Sequence, residues 1–300
     1  ATGLFVLRYS RIDVIKHDLT GAEHQSNIER SPADTDYLVA AGNSILILEL
    51  QGFVFFGTAN RVLGRVRESL GPAGRSPRFA ILDFRRVTGV DSSAVAIFER
   101  VALLARERGV AVVITALGGA ETAQFSDLVN SYADVVELHA DLDHGLARCE
   151  DELLFEAGGR EGTEPELPAD LPRDLATYLV DRSFAPGDVL MRQGDRSPGI
   201  YLIKTGRATV FLEGSDGQRV RLRTLLSGTV LGEISLYRDE PCTATVVADA
   251  TCEVLHLTPE SFARLCRVDF RVAAELHAFV ARTLAGRVSH ANRAIRALHD

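Results

Sequence analysis

Residues 231–248, LGEISLYRDEPCTATVVA, set a glycine, a carboxylate and a run of small residues around a turn. Gly232 lets the backbone approach a ligand closely, and Glu233 beside it is an acceptor for a hydroxyl. Pro241 stops the segment, and Thr243, Ala244 and Thr245 lead into a strand. The arrangement reads as a cradle for a small phosphate-bearing ligand. A phosphate taken out of water needs a cation or several amide donors. The residue after the proline is Cys242, a thiol that is neutral at pH 7 unless activated. Arg238 and Arg221 are the candidate substitutes, and nothing in the sequence aims either of them at the cradle.

A second chemistry lies at Asp91-Ser92-Ser93, just before an apolar helical stretch. A phosphate on Ser92 or Ser93 would meet free amides and the positive end of the helix dipole. The plainer role of the same residues is to cap the helix. HADLDH gathers His139, Asp141, Asp143 and His144, but a helix starting at Asp141 explains the acids as an N-cap and first-turn charge. No zinc-type ligand spacing appears, so no metal is expected. Phe53, Phe55 and Phe56 offer a partner-facing patch, although a core role is expected for at least two of the rings. The chain has no P-loop, nucleophile elbow or Cys–His pair at motif spacing, and catalysis is not expected of it.

The elements around these residues change character once. EAGGREGTEPELPADLP, residues 156–172, is linker chemistry, too poor in bulky apolar residues to offset the entropy of ordering. Before it, SILILEL (44–50), RFAILDF (78–84) and VAVVITAL (110–117) read as strands between amphipathic helices. Val62, Leu63, Val66 and Leu70 line one helix, and Ile97, Val101 and Leu104 line the next, which Gly109 ends. Two more helices follow, in ETAQFSDLVNSYA and DLDHGLARCEDELL. Such alternation predicts a mainly parallel sheet with helices against it. After the linker come short strands with Gly, Asp and Pro turns at close spacing, the pattern of a β-roll or jelly roll. Helices close the chain. The first starts at Thr258-Pro259, and Leu276, Phe279, Val280, Leu284 and Val288 make a stripe suited to the β domain or to a twin helix.

Three hundred residues are enough for two domains. A formal charge of −8 argues against general affinity for nucleic acid. Four cysteines without a tight framework suit free thiols in a reducing compartment. No apolar run reaches the roughly 18 residues a bilayer span needs, and no signal peptide is visible. Ala1 at the start and Met191 as the single methionine suggest a piece of a longer chain.

The second half resembles the cyclic nucleotide-binding domain family through FAPGDVLMRQGD, GIYLIKTGRATV and GTVLGEISLYRDEPCTATV, with Gly187, Gly194, Gly206, Gly228 and Gly232 at its turns. The resemblance implies a pocket at Gly232, Glu233, Ile234, Cys242, Thr243 and Ala244 for cAMP or cGMP, in which Glu233 holds the ribose hydroxyl. In the family an arginine at the position of Cys242 neutralises the phosphate. Losing a charge-assisted bond in a desolvated site costs on the order of 2–5 kcal/mol, so cyclic nucleotide is expected to bind weakly or not at all. The bland alternative makes Glu233 a turn cap and the domain a packing module. The family's transcription regulators carry a helix-turn-helix after the long helix, and this chain shows none.

The first half resembles a STAS domain over most of residues 5–155, through FAILDFRRVTGVDSSAVAIFERVALLARERGVAVVITAL. LELQGFVFFGTANRVLGRVR and LRYSRIDVIKHDLTGAEHQSNIER are similar to the SulP anion-transporter branch. There the upstream segment follows the last membrane helix, and Arg8, Arg11 and Lys16 suit a cytoplasmic juxtamembrane stretch. In the anti-sigma-factor-antagonist branch a serine of the Asp-Ser-Ser-Gly loop is phosphorylated. Ser93 is the matching position, and Ala94 replaces the glycine.

The resulting expectation is a membrane-proximal segment (1–35), a STAS domain (36–156), a linker (157–172) and a cyclic nucleotide-binding-like domain (173–300). Together they would form the cytosolic C-terminal region of a sulfate or similar anion transporter on the cytoplasmic side of the inner (plasma) membrane. Its expected partners are the membrane domain of the same transporter and a second copy of the chain, with no nucleic acid. The alternative is a soluble STAS-type signalling protein with a phospho-switch and a cyclic-nucleotide sensor.

Overall fold

Strand β3 (Ile45–Val54) is apolar on both faces, which only a sheet covered on both sides can use. The computed structural model describes residues 13–71, 77–158, 171–214 and 218–299, and divides into two units. The described residues within 13–26, 37–158 and 292–299 form the first, and those within 27–36 and 171–291 form the second.

In the first unit β3, β4 (Phe79–Val90), β5 (Ala111–Thr115) and β6 (Val136–His139) run parallel in sequence order, and β1 (Ile15–Thr20) adds antiparallel to β3 at the edge. The sheet therefore begins upstream of residue 36, inside the stretch read as a membrane-proximal segment. Lys16 is exposed on β1, and Arg8 and Arg11 lie outside the described residues.

Alternate residues of β3 divide the core. Leu46, Leu48 and Leu50 pack with Val62, Leu63 and Val66 of one helix, Ile97, Phe98 and Val101 of the next, and Phe125 and Leu128 of a third. Ile45 and Ile47 face Leu142, Leu146, Cys149 and Leu153 on the opposite side. With α1 as Pro32–Ala41, these helices are α2 (Phe56–Ser69), α3 (Ser92–Arg108), α4 (Gly119–Ser131) and α5 (Leu142–Glu156). Helix α3 ends where Gly109 takes φ 65°. The phenylalanine expectation fails. Phe53 and Phe55 are half-buried and Phe56 is exposed, while Val54 is the buried residue among them, because the chain turns from β3 into α2 there.

Among the described residues the strands of the second unit are β2 (Ile28–Glu29), β7 (Val180–Phe184), β8 (Val189–Met191), β9 (Ile200–Thr205), β10 (Ala208–Glu213), β11 (Arg219–Leu225), β12 (Val230–Leu231), β13 (Thr245–Ala248) and β14 (Cys252–Leu257). They form a five-stranded sheet in the order β2-β11-β10-β13-β8 and a four-stranded sheet in the order β12-β9-β14-β7. Its helices are α6 (Glu233–Arg238), α7 (Pro259–Val268) and α8 (Phe270–His299). Alternation again divides the burial. Tyr201 and Ile203 face Met191, Leu231, Val246 and Val254, whereas Ile200 and Leu202 face the helices. Leu276, Phe279 and Val280 of α8 are buried there with Leu284 against them, and Val288 is left exposed. Most of the stripe is thus consumed within the unit. The presence of β2 was not expected, and residues 159–170 of the linker lie outside the described residues.

Candidate ligand pocket

The turn from β12 into α6 is built on Gly232, whose φ is 88°. A Cβ there would sit 2.2 Å from the carbonyl oxygen of Gly199, so close approach and left-handed backbone both require glycine. Glu233 follows as the first residue of α6 and is 2% exposed. Burying a carboxylate is costly unless it is paired. Glu233 Oε1 accepts a hydrogen bond from Arg287 Nη1 on α8. Arg287 also donates from Nε to Glu29 Oε1 and Oε2 at 3.0 Å each, from Nη2 to Glu29 Oε1 at 2.7 Å, and to the carbonyl of Val230. Burial opposes the charge on Arg287, but Glu29 and then Glu233 outweigh it and raise its pKa. Among the described residues, Glu233 Oε2 is buried without a hydrogen-bond partner.

Cys242 is 3% exposed among Leu190, Met191, Tyr201 and Leu231. Its amide donates to Asp195 O at 2.8 Å, and its own carbonyl accepts from Gly194 N at 2.8 Å. Burial pushes its thiol pKa up, against a hydrogen bond with Ser235, so the side chain is uncharged at neutral pH. Ile234 is 39% exposed, Thr243 is exposed and Ala244 half-buried. Arg238 is turned to Glu240, with Nε and Nη2 at 2.7 and 2.8 Å from its two oxygens. Arg221 donates to Thr224 Oγ1 at 3.0 Å. Among the described residues Glu233 therefore keeps one buried acceptor, Oε2, without a donor, and the thiol of Cys242 brings no charge to its own position.

Arg287 and Glu29 were not picked out from the sequence. The signal for Arg287 was present: it follows Val280 by seven positions and Leu284 by three, which puts a cation on the apolar face of α8.

At the start of α3, Asp91 is the N-cap, with its side chain accepting from Ser93 N at 2.8 Å. Hydrogen bonding from Ser93 holds the Asp91 carboxyl below its usual range. Ser92 and Ser93 are exposed, while Ala94 is fully buried in the core. Asp141 caps α5, accepting from the amide of His144 at 2.9 Å and facing its Nδ1 at 2.8 Å. Among the described residues no three His, Cys, Asp or Glu side chains gather as a metal site, and no helix is long and apolar enough to cross a membrane.

Residues 38–138 match the STAS domain family, and residues 181–269 match the cyclic nucleotide-binding domain family. The chain is 42% identical over 105 residues to acetyltransferase Pat of Mycolicibacterium smegmatis, covering 31% of each chain. It is 25% identical over 164 residues to the vacuolar basic amino acid transporter VSB1 of Saccharomyces cerevisiae, covering 51% of this chain and 15% of that one. It is 27% identical over 283 residues to Glutaminase 2 of Bradyrhizobium diazoefficiens, covering 89% of this chain and 43% of that one. The chain spans less than half the length of each of these relatives. Residues 38–138 are thus a STAS domain, followed at residues 181–269 by a cyclic nucleotide-binding domain.

Proposed function

We propose that the chain is the regulatory region of a SulP-type transporter of sulfate or a similar anion, working on the cytoplasmic side of the membrane and performing no catalysis itself. Its partners are the membrane domain of the same protein and a second copy of the chain. It sets assembly or gating by a shift between docked arrangements, each favoured by its own contacts. The observation that carries the regulatory reading is the pocket: Glu233 is claimed by Arg287, and Cys242 offers a phosphate no charge. Signals passing through such a unit come from protein contacts more than from cyclic nucleotide. The transporter context is supported by the likeness to VSB1 over half of this chain.

A second reading places the same regulatory tandem on an enzyme, and the likeness to Glutaminase 2 through 89% of this chain favours it. The soluble phospho-switch is a third arrangement, which depends on Ser93. Uptake of labelled sulfate into vesicles holding the full-length parent, with and without residues 1–300, tests the first reading. The expected result is a changed uptake rate or a failure to assemble on truncation. A parent reading frame without apolar spans upstream of Ala1, or uptake indifferent to truncation, overturns it.

A further inference from the structure

Strand β2 is two residues long and lies parallel to the edge of β11, with Ile28 opposite Thr224 and Glu29 opposite Leu225. Thr224 N donates to Asn27 O at 3.0 Å, and Leu226 N donates to Glu29 O at 3.2 Å. So short a ladder is marginal in water. The Glu29 side chain adds to it. It accepts three hydrogen bonds from Arg287, and Arg223 Nη1 approaches its Oε2 at 3.2 Å. The side chains of Glu29 and Arg287 are 18% and 15% exposed, so solvent screens their attraction less than that of a surface pair.

The same guanidinium serves Glu233. Two carboxylates bridged by one cation compete for it and repel each other. Lessening the negative charge on Glu233 therefore strengthens the hold of Arg287 on Glu29. The place where a ligand would do so is Glu233 Oε2, buried and unpartnered among the described residues.

We propose that the β11 edge is a docking site for the chain's own strand 27–30, keyed by Arg223 and Arg287, and that Arg287 couples this docking positively to a hydroxyl donor at Glu233. By linkage, docked β2 favours such a donor as much as the donor favours docking. The inference stands on residues of the second unit alone and is independent of what precedes the chain.

Amide hydrogen exchange on the intact chain tests it, read at Thr224 and Leu226. Ile203, which donates to Thr229 O at 3.0 Å, is the control. Glu29→Gln accelerates exchange at both test amides about tenfold, as losing an ion pair of low exposure does, and leaves Ile203 unchanged. Glu233→Gln slows the two amides about threefold while Glu29 is present and has no effect on them in the Glu29→Gln background. If Glu29→Gln also accelerates Ile203, Arg223→Gln takes its place under the same criteria. Unchanged rates in the substituted strand pair overturn the keyed docking. Unchanged or faster rates in Glu233→Gln overturn the coupling.

Discussion

Glu49 and Asp83 stand opposite each other on β3 and β4, buried on one face of the sheet at 0% and 1% exposure. Asp83 Oδ1 accepts from Thr115 Oγ1 at 2.8 Å, while Asp83 Oδ2 and Glu49 Oε1 have no hydrogen-bond partner among the described residues. Arg85 reaches the pair only from the exposed side, 3.5 Å from Glu49 and 3.7 Å from Asp83. Burial raises the Asp83 pKa, and the Thr115 bond and Arg85 only partly oppose it.

The folded chain thus binds the Asp83 proton more tightly than the unfolded chain does. The stability this gives is complete below the unfolded carboxyl value, about 3.9, and is lost as pH rises through the raised folded value. Asp83→Asn keeps the shape and cannot ionise. Its urea midpoint relative to the parent is expected to rise between pH 4 and pH 7. A constant difference across that window would refute the assignment.

Cyclic AMP titrated calorimetrically into the parent chain is expected to bind more weakly than micromolar. Cys242→Arg is expected to tighten binding by roughly 30-fold or more, the worth of one charge-assisted phosphate contact. Because Cys242 is 3% exposed, the same substitution also lowers thermal stability by crowding the space between the sheets. Micromolar affinity in the unmodified chain would falsify the weak-pocket reading.

Gly232→Ala is expected to destabilise the second unit by on the order of 1–3 kcal/mol, since alanine is strained at φ 88° and its methyl meets the Gly199 carbonyl. Urea denaturation followed by a probe confined to that unit measures it. A shift no larger than that of Gly187→Ala in the same unit, which also has a positive φ but where a Cβ meets nothing within 4 Å, would contradict the close-packed turn.

Intact-mass and peptide analysis of the chain from its native host is expected to find Ser92 and Ser93 unmodified. Asp91 already caps α3 through the amide of Ser93, which accounts for the local motif without a phosphate. Phosphoserine at either position would move the preferred function to the phospho-switch.

Local chemistry carried a large part of the fold. The apolar run of β3, the stripes of α2 and α3, the stop at Gly109 and the caps at Asp141 and Thr258 all rest on neighbours a few residues away, and each is where its pattern places it. Strand β1, IKHDLT, and the four-residue β6 carry too little apolar alternation to be told from loops. Gly232 and Glu233 were legible from their turn chemistry, and the family resemblance alone marked Cys242 as the position of an expected arginine. The partner that Glu233 actually has, Arg287, and the docking of Glu29 beside it were decided only in three dimensions. A turn or a cap is settled by backbone geometry within one helical turn. A buried carboxylate instead takes whichever cation the packing of α8 and the open edge of β11 bring within reach, and nothing in the residues adjacent to it specifies that choice.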